Sequence, residues 1–187
     1  MADGAMKSRR MTTREFLEWE AKQPHKHEFV DGLIRMMAGG TKNHDRIRRN
    51  LSNLLTMRLR GQRCEPFGPD MQVQTFPGPL YYPDMLVDCG VNDGEARQAD
   101  RPAVIFEVLS KTTRETDLTE KLPNYQATPA VQEIVFIDQA RMHCMVWRRE
   151  PEGWEESEVS RPDQPLQLRS IGVELGFAEI YEGVGWS

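Results

Sequence analysis

The chain has no apolar run long enough to span a bilayer and no basic segment followed by an apolar leader, so it reads as soluble and unsecreted. Cysteine is scarce: Cys64, Cys89 and Cys144 are odd in number, widely spaced and without a CxxC pair. Such a set argues against a zinc finger or a disulfide framework and suits a reducing cytoplasm. The histidines offer no alternative, because His25, His27, His44 and His143 lack zinc-ligand spacing. Positive charge is also short. A formal net charge of −5 is the wrong sign for a protein that coats nucleic acid indiscriminately. No repeat, low-complexity linker, coiled coil or recognition helix is evident.

What remains fits one domain with a single core: 187 residues, 39% hydrophobic and 28% charged. Residues 1–11 are expected to be a flexible N-terminus and residues 12–187 the domain. The charge is unevenly spread. Arg46, Arg48, Arg49, Arg58, Arg60 and Arg63 crowd one segment, and Glu150, Glu152, Glu155, Glu156 and Glu158 another. The arginines suit either a solvated helix face or a face turned toward phosphates.

Local signals give an α+β order. Thr12 and Glu15 have capping-box spacing and open a short helix that Pro24 closes. Asp31-Gly32 between two short apolar runs predicts a hairpin. Ile47, Leu51, Leu54, Leu55 and Leu59 recur at helical spacing from about residue 43 to 60, with Gly61 as the stop. Pro66 to Pro69 reads as a loop, Met71 to Phe76 as a half-buried strand, and Tyr81 to Val87 as another. Ala103 to Leu109 is apolar apart from Glu107, as in a central strand covered on both faces. Thr116 to Tyr125 reads as a helix containing Pro123, and Glu133 to Asp138 as a buried strand pairing with Met142 to Arg148.

Two acids stand out. Asp84 follows Tyr82-Pro83 beside an apolar run, and Glu107 sits inside one. A carboxylate so placed is costly unless its charge is compensated. On adjacent strands the two could converge on one hard cation, with Lys121 orienting or deprotonating an attacking water or holding a phosphate. Asp117, Lys121 and Tyr125 are spaced to share a helix face. Taken singly, Asp84 is also an ordinary strand-end residue, and Asp117 with Lys121 a surface ion pair worth on the order of a few tenths of a kcal/mol.

The ordered set Glu28…Asp31-Gly32, Met37-Ala38-Gly39-Gly40, His44, Tyr82-Pro83-Asp84, Glu107-Val108-Leu109-Ser110, Asp117…Lys121…Tyr125 and Glu179-Ile180-Tyr181 resembles a family of restriction endonucleases within the PD-(D/E)XK nuclease superfamily. The resemblance covers about Thr12 to Tyr181. It implies a restriction-endonuclease-like core with a mixed central sheet flanked by helices and an N-terminal hairpin extension. It also implies Mg²⁺ (or Mn²⁺) held by Asp84 and Glu107, and hydrolysis of DNA. The superfamily's lysine two residues after the second acid is replaced by Leu109; Lys121 matches the family's displaced lysine, and Lys111 is a second candidate. Leu33 stands where relatives carry an acid, leaving Glu28 as the hairpin's nearest one.

His44 matches the family's histidine and is a candidate phosphate or water contact. Arg46 and Arg49, with Tyr125, are candidates for nucleic-acid contact. Together these features lead to a metal-dependent cytoplasmic endonuclease acting on DNA, with a homodimer expected by family analogy. A nuclease-fold module that binds nucleic acid or protein without cutting is the rival, and hydrolysis of another phosphoester a third reading.

Overall fold

Thr12 starts the first helix as its spacing predicts: its hydroxyl accepts from the Glu15 backbone, and the Glu15 carboxylate accepts from Thr12 N at 2.8 Å. This helix, α1 (Thr13–Glu20), turns Phe16 fully inward. The computed structural model describes residues 11–37, 39–76 and 78–186. The expected flexible N-terminus thus lies outside the described residues except for Met11, which packs on the Phe16 cluster.

Asp31-Gly32 forms the tip of the predicted hairpin, with both residues at positive φ, joining β1 (His27–Val30) to β2 (Leu33–Met36). The long helix follows as α2 (Lys42–Leu59), with Thr41 as N-cap accepting from His44 N. Ile47, Leu51, Leu55 and Leu59 are its buried stripe, each contributing roughly 1.5–3 kcal/mol by leaving water. Gly61, at φ +76°, lets the chain turn away.

The strands build two main sheets. β1 and β2 join β4 (Val73–Gln74) and β5 (Leu80–Tyr81) in the order β2-β1-β5-β4. The second sheet holds β3 (Glu65–Phe67), β6 (Met85–Asp88), β7 (Pro102–Leu109), β8 (Glu133–Asp138), β9 (Cys144–Glu150) and β10 (Gly153–Val159), in the order β10-β9-β8-β7-β6-β3. Only its β7–β8 pair is parallel. A small ribbon, β11 (Leu166–Leu168) with β12 (Val173–Leu175), and a last helical turn, α5 (Phe177–Ile180), close one face. This is the expected mixed α+β architecture.

All eight residues of β7 are buried, and their alternation sorts the core. Val104, Phe106 and Val108 pack on the face that receives the α2 stripe. Ile105 and Leu109 pack on the other face with Tyr125, Leu122 and Phe136. Glu107 shares their parity, so strand geometry sends it toward the helical segment that follows β7.

Several local expectations change. Tyr81 to Val87 is not one strand: β5 belongs to the first sheet and β6 to the second, with Tyr82-Pro83-Asp84 as the crossing. Proline supplies no N–H to a ladder and holds its predecessor extended, which suits a strand that changes partners. The Met71–Phe76 strand shrinks to β4, and the supposed Pro66 loop includes β3, an edge strand where proline is tolerated. Thr116 to Tyr125 is not a plain helix. It runs as α3 (Arg114–Thr116), a π-helical turn (Asp117–Lys121) and α4 (Leu122–Ala127), with Leu122 N donating to Asp117 O. The widened turn precedes Pro123, whose ring would crowd the carbonyl of a regular preceding turn.

Cysteine pairing is the clearest correction. Cys64 and Cys89 form a disulfide, with Cα atoms 4.1 Å apart, leaving Cys144 as the buried free thiol. The pair flanks Glu65 and Asp88, which face each other across β3 and β6. A spacing of 25 residues hides that juxtaposition, because only the antiparallel pairing brings the two opposite.

Candidate active site

Pairing of Met85 with Phe106 places Asp84 across from Glu107 at the start of β6. The two acids clasp each other's backbone. Val108 N donates to Asp84 Oδ2 at 2.7 Å, and Asp84 N donates to Glu107 Oε2 at 3.3 Å. The His44 ring, near the N-terminus of α2, brings Nε2 to 3.2 Å from Asp84 Oδ2. The chain passes tightly over that ring at Gly40, where an added Cβ would lie 2.8 Å from His44 Nδ1.

Lys121 reaches in from the π-helical turn. Its Nζ lies 2.9 Å from Glu28 Oε1, 3.1 Å from Glu107 Oε1 and 3.4 Å from Asp117 Oδ1. Tyr125, one turn onward, donates its hydroxyl to Glu107 Oε1 at 2.8 Å. Glu28, Asp84, Glu107, Asp117, Lys121 and His44 all border one cavity of about 290 Å³. Three of these carboxylates share Lys121 and the fourth, Asp84, takes His44, so the acids outnumber the basic groups packed on them.

Electrostatics follow from that imbalance. Burial drives Glu107 well above the ordinary carboxylate range; Lys121 opposes this, while Asp117, Asp84 and Glu28 add to it. Burial likewise raises Asp117. Lys121 is held well above its ordinary value because the attraction of Glu107, Glu28 and Asp117 outweighs its own burial. Burial works against a charged His44, but the hydrogen bond and charge of Asp84 prevail and raise it. Tyr125 is pushed up by burial and then by the Glu107 charge, so it stays a proton donor.

The structure therefore gathers Asp84, Glu107, Lys121 and His44 in one place. Lys111 is exposed and away from the cavity lining. Leu109 is buried on the same strand face as Glu107 and contributes only to the core. Tyr125 is corrected as a nucleic-acid contact: it is fully buried, and its one polar atom is spent on Glu107. Arg46 and Arg49 do not line the cavity either. Arg46 donates to the Gly183 carbonyl, and Arg49 lies 4.0 Å from Asp45 on an exposed helix face. Of the other histidines, His25 is exposed, His27 is half-buried against Trp19, and His143 is buried near Glu158.

Two participants were only partly legible. Glu28 makes the shortest contact to Lys121, although its strand neighbours suggested nothing more than a hairpin acid. Asp117 was readable as a helix-face partner of Lys121 but not as one of four converging acids. No local sequence signal marked Glu28: alternation with the buried Phe29 predicts an exposed side chain, yet it is only 5% exposed.

The donor set fits a hard divalent cation. Among the described residues, no three His, Cys, Asp or Glu side chains form a cage that could hold an ion alone. Mg²⁺ needs no such cage, since one or two carboxylates suffice when water and phosphate oxygens complete the octahedron. Asp84 Oδ2 is occupied by Val108 N and His44, and Oδ1 has no hydrogen-bond partner among the described residues.

Comparison with known proteins gives a consistent picture. The Uma2 family, described as "Putative restriction endonuclease", matches residues 13–178. An uncharacterized protein of Synechocystis is 31% identical over 180 residues, covering 95% of this chain and 94% of its own. A second uncharacterized Synechocystis protein is 33% identical over 133 residues, covering 69% and 75%. A solved structure described as a putative nuclease from Anabaena variabilis superposes with a TM-score of 0.73 at 19% identity, over 91% of this chain and 97% of that one. At that identity the likeness speaks to fold, which is the restriction-endonuclease-like one.

Proposed function

Since the chain belongs to the Uma2 family of restriction-endonuclease-like proteins, we infer that it is a divalent-metal-dependent endonuclease hydrolysing phosphodiester bonds of DNA. The observation that carries this reading is the convergence of Asp84 and Glu107 from adjacent strands on a cavity that also holds a buried lysine. Asp84 and Glu107 would hold Mg²⁺ or Mn²⁺. Such an ion, when bound, supplies the positive charge that acidifies water and offsets charge building on the phosphate.

The protein's own groups then divide the work. Val108 N and His44 hold one oxygen of Asp84, and Tyr125 holds one of Glu107, which keeps both acids aimed at the cavity. Lys121 presents an ammonium to the cavity, able to orient the attacking water or the phosphate once it loosens from one of its three acids. The water oxygen bonds to phosphorus as the P–O ester bond breaks, and the proton ends on the departing alcohol. Glu28 and Asp117 keep Lys121 charged and aimed.

A cytoplasmic setting and a pair of cooperating copies complete the proposal, because cutting both strands of a duplex is simplest with two related sites. Among the described residues no helix is long and apolar enough to cross a membrane. In a reducing cytoplasm Cys64 and Cys89 would stand as adjacent thiols.

Nicking of supercoiled plasmid in Mg²⁺ or Mn²⁺ tests the reading. Cleavage that is lost in Asp84→Ala and Glu107→Gln supports it. A well-folded Asp84→Ala protein that cuts as fast as the parent removes the site assignment. DNA binding that ignores metal, with no nicking, would make the protein a binding module instead.

A further inference from the structure

A phosphodiester entering this cavity meets four carboxylates, so beyond a metal ion at the reacting phosphate it needs a cation at the mouth to hold the backbone. Lys121 is engaged by three of those acids and His44 by the fourth. Among the described residues that line the cavity, the remaining side chain with a permanent positive charge is Arg35, from β2 of the hairpin. Arg35 is 45% exposed, and its two terminal nitrogens each lie 3.0 Å from one oxygen of Glu120. Tyr81 donates to the same Glu120 carboxylate, and Asn124 donates to Tyr81.

That fork-to-fork pairing has a chemical twin. The two non-bridging oxygens of a phosphodiester offer a guanidinium the same bidentate face as a carboxylate does. We propose that Arg35 is the substrate clamp of this site, parked on Glu120 in the free protein and transferred to a backbone phosphate of DNA at the cavity mouth. The proposal rests on the nuclease reading and names the residue through which substrate is held. Partial exposure lets solvent screen the pair, so a phosphate that offers the same two-oxygen face can exchange for Glu120. Parking also keeps Arg35 from collapsing onto the acids that the metal needs. The helix arginines, Arg46 and Arg49, do not line the cavity.

The test is a double-mutant cycle on a short labelled DNA duplex, read as Kd, together with plasmid nicking read as KM and kcat. Arg35→Ala should raise Kd and KM about tenfold, with the larger effect in KM rather than kcat. Glu120→Gln should act in the opposite direction, tightening Kd about threefold by releasing Arg35. That gain should vanish in the Arg35→Ala/Glu120→Gln double variant. If the pair merely pins the hairpin to the helix, both single variants weaken binding and lower Tm together, and the clamp is overturned. An unchanged Kd in Arg35→Ala overturns it as well, whether or not the protein cuts. Failure of the nuclease reading is separately visible, as an absence of nicking by the parent or its survival in Asp84→Ala.

Discussion

Neighbouring parallel strands each bury a glutamate against a cation, and the two clusters could hardly be used more differently. Glu133, at the start of β8, is fully matched. Oε1 accepts from Arg148 Nε and Arg169 N, while Oε2 accepts from Ser170 N and Oγ. Arg148 spends its other nitrogens on Ser157 and the Gln167 carbonyl. Glu107, toward the end of β7, shares one lysine with two other acids and borders a cavity. Burial is nearly equal, at 2% and 3% exposure. The difference is charge balance: Glu133 faces one guanidinium and ties β11 to the sheet, whereas Glu107 shares its one ammonium with two further acids beside a cavity.

The largest expected effect follows directly. Glu107→Gln should reduce metal-dependent nicking about a thousandfold or more, the scale of losing a metal's charge stabilisation. Its stability should move the other way. Burial, with the neighbouring acids, holds Glu107 above its ordinary range, so its ionised form opposes folding once pH exceeds that range. A neutral Gln removes this opposition, and Tm measured without metal should stay level or rise. Glu133→Gln should reverse the pattern. Loss of a buried charge partner for Arg148 should cost on the order of 3–5 kcal/mol, seen as a lowered denaturation midpoint, while nicking per folded molecule persists. A Glu107→Gln protein that unfolds as readily as Glu133→Gln would erase the distinction.

Lys121→Met comes next. It strands three buried acids, so the metal-free protein should lose stability and should recover part of it when Mg²⁺ is added, as a Tm that rises with ion concentration. Turnover should fall more than metal affinity does. The reverse order would make Lys121 a structural cation like Arg148.

Much of this arrangement was readable from the chain. The capping box at Thr12, the Asp31-Gly32 turn, the α2 stripe and the apolar β7 run are local signals, and local rules decide them. Asp84 and Glu107 were legible because an acid in an apolar run violates the pattern around it. What escaped notice depends on tertiary pairing. Cys64 and Cys89 meet only through the β3–β6 register, and Tyr125 looked like a helix-face contact until the sheet covered it. The Glu133 cluster was hidden too, since its partners come from segments 15 and 37 residues away. The crossing at Tyr82-Pro83-Asp84 read as continuous strand because sequence alternation does not say which sheet a strand joins.

Smaller effects sharpen the account further. Gly40→Ala should push the His44 ring off Asp84 and cut turnover several-fold, roughly the consequence of losing an orienting contact. His44→Ala should produce a similar loss; a Gly40→Ala effect that persists in the His44→Ala background would mean the glycine acts otherwise. Arg49→Ala should scarcely register, within about 0.5 kcal/mol in stability and with little change in the salt dependence of DNA binding, because Arg49 stands on an exposed helix face beside Asp45.

Anomalous diffraction from crystals soaked in Mn²⁺ probes the core of the account without reference to substrate or turnover. One peak within about 2.3 Å of carboxylate oxygens from both Asp84 and Glu107 is the predicted result. A cavity without a peak at saturating Mn²⁺, or an ion bound to acids elsewhere, would contradict it.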